Sequence, residues 1–153
     1  MVMRLKLLAL LASLLMLLGW AAPAEARPAT VEYPTITEIA ITWTPADANG
    51  DCHNTTVGTL SAPVTSTTRV TARWTLTALS PAGEVWPYQM WIGSPAVGSS
   101  KVGPFSMGAC SADGASYVSV RIELFKGTRV SPKAVPYTAK TLSITPGYVC
   151  THR

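Results

Sequence analysis

The chain has 153 residues, 12 Lys and Arg against 8 Asp and Glu, and only 13% charged side chains, for a formal charge of +4. That length allows one domain with a real hydrophobic core and leaves little room for a second. Sparse, mixed charge without long runs of one sign excludes a disordered chain and a dedicated nucleic-acid binder.

The first residues read as an export signal. Arg4 and Lys6 precede a 12-residue apolar run over 7–18, Gly19 breaks it, and Ala24-Glu25-Ala26 supplies the small residues of a signal-peptidase site. The run is shorter than the roughly 20 residues a spanning helix needs. Residues 1–26 are therefore expected to be a removed secretory signal peptide, leaving 27–153 as a single domain. That domain is expected to be secreted or periplasmic, with no membrane span. Removing Arg4, Lys6 and Glu25 leaves 10 basic and 7 acidic residues, net +3. The composition also changes at this point. Nine of the 14 Leu precede residue 27, whereas 12 Val, 6 Ile and 19 Thr follow it. β-branched side chains suit a pleated surface better than a helix.

Period-2 alternation marks strands with one buried face. Residues 37–44 place Ile39, Ile41 and Trp43 opposite Glu38, Ala40, Thr42 and Thr44. Residues 69–79 set Val70, Ala72, Trp74, Leu76 and Ala78 against Arg69, Thr71, Arg73, Thr75 and Thr77. Residues 85–92 align Trp86, Tyr88, Met90 and Ile92, and Pro87 predicts an edge strand there. Residues 117–125 align Val118, Val120, Ile122 and Leu124 opposite Ser119, Arg121 and Glu123, and 140–145 offers Leu142 and Ile144. Weaker signals lie at 30–36, 57–60 and 101–109. Turn chemistry separates these runs, as in Asn49-Gly50, Pro81-Ala82-Gly83, Asp113-Gly114 and Lys126-Gly127. The expected fold is all-β: an immunoglobulin-like antiparallel sandwich of seven to eight short strands, with a small barrel as the alternative.

Export implies an oxidising compartment, where three cysteines allow one disulfide and leave one thiol. If 117–125 and 140–145 are antiparallel neighbours, Cys110 before the first and Cys150 after the second come to one end of the sandwich. The expected disulfide is Cys110–Cys150, with Cys52 unpaired or an alternative partner. Cys52, His53, Cys150 and His152, with Met107 as a soft ligand, form an alternative metal cluster. The sequence has no C-x-x-C and no H-x-x-x-H spacing, so no metal and no cofactor is expected.

Catalytic chemistry is poorly supplied. The two histidines are His53 and His152, and no nucleophile elbow, zinc-protease helix or phosphate loop occurs. The chain is expected not to be an enzyme. In the 86–91 aromatic run, Trp91 falls on the face opposite Trp86, Tyr88 and Met90, which leaves it as the exposed platform. Trp91, with the polar loop residues Asn49, Asp51 and Asn54, forms the candidate binding set. Recognition is expected in the loops at 47–56 and 93–104, because sandwich loops cluster at the ends. The expected function is a non-enzymatic exported module that binds another extracytoplasmic protein or a cell-surface component. A metal or thiol-redox protein and a weak carbohydrate binder are the alternatives.

Overall fold

A computed structural model describes residues 30–44, 53–108 and 115–149. Seven strands follow in order: β1 (Ile36–Thr44), β2 (His53–Leu60), β3 (Val70–Leu79), β4 (Val85–Ile92), β5 (Lys101–Gly108), β6 (Ser116–Lys126) and β7 (Thr138–Val149). They form two antiparallel sheets, β1-β2-β5 and β4-β3-β6-β7. The protein is an immunoglobulin-like β-sandwich with two separate sheets, not a closed barrel. In constant-type antibody domains the fourth strand joins the sheet of the first two. Here β4 pairs with β3 instead, which makes the second sheet the wider one. Among the described residues no helix is long and apolar enough to cross a membrane.

Alternation along β3 does most of the core building. Val70, Ala72, Trp74, Leu76 and Ala78 are almost fully buried, and Val120, Ile122 and Leu124 of β6 lie beside them. Trp74 packs on Phe105 across the sandwich, with centroids 6.1 Å apart. Antibody domains hold this region with a disulfide between the second and sixth strands. Here the equivalent space is apolar. A Cβ on Gly58 of β2 would meet Val102 Cγ2 at 2.9 Å and Ile122 Cδ1 at 3.0 Å, so the missing side chain lets the sheets close. β4 shows the effect of overhang: its inward residues Trp86, Tyr88, Met90 and Ile92 are only half-buried, because the facing sheet has one strand fewer.

Two sequence expectations shift. The alternation predicted for 117–125 breaks at Val118, where the registers with both β3 and β7 slip. Against β3 Val118 is the extra residue of a bulge, whereas against β7 the surplus residues lie on β7 between Ser143 and Tyr148, and Tyr117 rather than Val118 turns into the core. There Tyr117 packs on Trp43, which stacks on Tyr148 at 4.0 Å. Burial, with Tyr88 nearby, pushes the Tyr117 hydroxyl up to about 12. The second shift concerns 30–36, where no strand forms before Ile36. The segment instead lies against the β6–β7 connection: Tyr137 Oη donates to the Pro34 carbonyl at 2.7 Å, and Tyr33 and Tyr137 are in ring contact.

Candidate binding face

The outer face of β4-β3-β6-β7 carries the best-organised set of polar and aromatic side chains among the described residues. Register sets Trp91, Arg73 and Glu123 in one row across β4, β3 and β6. Arg73 Nε donates to Glu123 Oε2 at 2.6 Å, and Arg121 Nε lies 3.3 Å from Oε1. Burial pushes the Glu123 carboxyl up, but hydrogen bonds and charge from both arginines outweigh it and hold it below the ordinary carboxylate value. Glu123 is therefore a fixed anion with both oxygens engaged, not a poised acid or base.

The Arg73 guanidinium sits 5.0 Å from the Trp91 ring and 5.2 Å from the Phe125 ring, and the two rings are 5.2 Å apart. Phe125 points away from the core by strand parity and is nonetheless only 2% exposed. Trp91 and the connection over 127–137 cover it. That connection is tied back where Thr71 Oγ1 donates to the Gly127 carbonyl at 2.8 Å. Trp91 remains 42% exposed. It forms one wall of a cleft of about 400 Å³ whose other walls are Thr71, Ile92, Gly93, Thr128, Val130 and Pro132. On the far side of Val130 a second hollow of about 270 Å³ is lined by Phe125, Lys126, Arg129, Ala134, Val135 and Tyr137, among others.

Charge divides between the sheets. Arg73, Arg121 and Lys140 lie on strands of the wider sheet, and Arg69, Lys126, Arg129 and Lys133 surround its β6–β7 connection. Its described acids are Glu123, already paired, and Glu84 in the distant β3–β4 turn. The strands of the smaller sheet carry Lys101 against Glu38. Glu32 precedes β1 at the end that holds the β6–β7 connection, where its carbonyl accepts from Thr68 Oγ1.

The structure separates the residues singled out from sequence. Trp91 faces outward, as alternation predicts. Asn54 faces inward, fully buried, with Nδ2 donating to the Met107 carbonyl at 3.2 Å and Oδ1 without a partner among the described residues. It therefore presents no surface for a ligand. His53 is exposed at the start of β2, and the half-buried Met107 packs against the core from β5. Asn49, Asp51, Cys52, Cys110, Cys150 and His152 lie outside the described residues. Among the described residues no group of three His, Cys, Asp or Glu is placed to hold a metal.

The described strand ends that border the two expected recognition loops, His53 and Lys101, lie far apart. β5 runs from Lys101, beside the 93–100 connection, to Gly108, which pairs with His53. At about 3.4 Å per residue that separates the ends by roughly 24 Å. From sequence Arg73 belongs to a solvated strand face that could contact an acidic partner, and neither Phe125 nor the 128–132 segment stands out as part of a site. The signal for Phe125 was available: it is an apolar residue in phase with Arg121 and Glu123, where a solvated strand face would carry a polar one.

No protein-family model matches the chain, and neither the curated proteins nor the solved structures contain a match.

Proposed function

We propose that the chain is an exported binding module, acting on another extracytoplasmic protein or a cell-surface component. Its contact surface is the outer face of the wider sheet beside Trp91. The observation that carries this reading is a half-exposed tryptophan clamped by Arg73 and Phe125 at the mouth of an apolar cleft. A rigid aromatic in a partly desolvated setting is the usual form of an interface hot spot. The 93–100 and 127–137 connections meet this face at the end that corresponds to the antigen-binding end of antibody variable domains.

The same reading includes removal of residues 1–26 and a Cys110–Cys150 disulfide. The antiparallel β6–β7 pairing supports that bridge, since Ser116 lies opposite Val149. Alkylation of the unreduced mature protein should then modify Cys52 alone, and intact mass reads both the cleavage and the thiol count.

Site-specific photo-crosslinking in exporting cells tests the surface. A photoreactive residue at Val130 should give a discrete adduct that Trp91→Ala abolishes, while one at Thr42, exposed on the smaller sheet, gives none. An adduct from Thr42 alone, or from neither position, overturns the assignment.

A further inference from the structure

We infer that the cleft beside Trp91 takes an acidic peptide segment bearing one large apolar anchor, a conclusion that rests on the binding face proposed above. The cleft itself is uncharged. Its walls are Trp91, Ile92, Val130 and Pro132, and its two hydroxyl residues are Thr71 and Thr128, of which Thr71 already donates to Gly127. About 400 Å³ accommodates one aromatic or branched side chain with its backbone.

Around this uncharged cleft the charge of the described residues is predominantly positive. Arg129 lines the neighbouring hollow, Lys133 lies in the same connection, and Arg69 lies beside it through the Gly127–Arg69 backbone bond. Glu32, before β1, is the described carboxylate at this end, and Glu123 is spent on two arginines. An apolar anchor flanked by Asp or Glu satisfies both features, with the anchor desolvated against Trp91 and the carboxylates over exposed cations that otherwise repel one another.

The chemistry favours peptide over sugar. Stacking a sugar needs an open aromatic face fringed by free hydrogen-bonding groups. Here Arg73 covers one side of the Trp91 ring, Phe125 abuts it, and the cleft offers mainly carbon. A strand added at a free sheet edge fits less well. The edge strands β4 and β5 carry Pro87 and Pro104, which interrupt edge pairing.

Fluorescence anisotropy with dye-labelled synthetic peptides on the mature protein tests the inference. The probes are a Glu-rich peptide with a central Leu-Phe, its Gln-for-Glu and Lys-for-Glu counterparts, and a Glu-rich peptide with Gly-Ser in place of the anchor. A labelled oligogalacturonate is run in parallel. The anchored acidic peptide should bind at least about tenfold more tightly than every other probe. Raising salt from about 50 mM to about 500 mM should weaken it several-fold, since exposed charges are screened. Trp91→Ala and the pair Arg129→Glu with Lys133→Glu should each weaken it about tenfold. Lys101→Glu on the other sheet should leave it unchanged, with circular dichroism checking that each variant is folded.

Equal binding of the Gln peptide, preference for oligogalacturonate, or indifference to Trp91→Ala and to the Arg129/Lys133 pair overturns the inference. If no peptide binds while the Val130 adduct persists and still depends on Trp91, this inference fails and the binding face stands. If the adduct is also absent, both fail.

Discussion

The two faces of the wider sheet come from the same strands and the same alternation, yet different physics holds them. Inward, Trp74, Leu76, Val120 and Ile122 are fully buried, and what matters is volume and the removal of carbon from water. Outward, Arg73 lies between two rings and a carboxylate, and what matters is which group stands next to which. The inner face should therefore respond to substitution by losing stability in proportion to the space left. The outer face should respond to the loss of a partner, and restoring balance should rescue it.

The largest break is on the inner side. Trp74→Ala removes the largest fully buried side chain and its contact with Phe105, and should cost about 3–5 kcal/mol by urea titration. Trp74→Phe should cost much less. It keeps an aromatic ring in place and removes an indole N–H that has no partner in the core. A phenylalanine variant as unstable as the alanine one would show that shape, rather than buried carbon, governs this face.

Next comes the charged row. Glu123→Ala leaves Arg73, itself only 19% exposed, without its carboxylate, and should cost about 2–3 kcal/mol. Replacing both members, Arg73→Leu with Glu123→Leu, should recover most of that loss, because the uncompensated cation is gone. The pH dependence has a definite sign. Folding lowers the Glu123 pKa below its ordinary 4.5, so its stabilisation is complete above that value and is lost as pH falls through the folded-state value. Acid unfolding of Glu123→Gln should lack this step, which thermal melts taken between neutral and acidic pH would read.

The contrast between the faces also explains what the sequence allowed. β3 and β4 are legible because burial on one face imposes period 2, and Pro87 marks the edge correctly. The bulge at Val118 is invisible in sequence, since one inserted residue keeps the apolar composition and changes only the phase. The proposed binding face is half legible. Trp91 follows from alternation within its own strand. Arg73, Glu123 and Phe125 become its neighbours only through cross-strand register, and Phe125 is buried only because a connection from β6 to β7 folds over it. Asn54 read as a loop ligand because its neighbours are polar, yet pairing with Met107 draws β2 back to His53 and turns it inward.

The smallest stability effect belongs to the residue with the largest expected role in binding. Trp91 covers Phe125 and carries the Arg73 cation on its ring, contacts worth about 1 kcal/mol each when partly exposed. With 42% of its surface in water, Trp91→Ala should cost about 1–2 kcal/mol, less than Glu123→Ala and far less than Trp74→Ala. The same substitution removes one wall of the cleft and lets the guanidinium move, so the loss of peptide binding should be out of proportion to the loss of stability. Trp91→Phe separates the two effects. It keeps a ring beside Arg73 and Phe125, so stability should stay near wild type, while the shorter wall leaves the anchor partly in water and binding should fall between those of wild type and alanine. A Trp91→Ala protein that unfolds as readily as Trp74→Ala would show instead that this ring is part of the core, and that the two faces of the sheet are held by the same means.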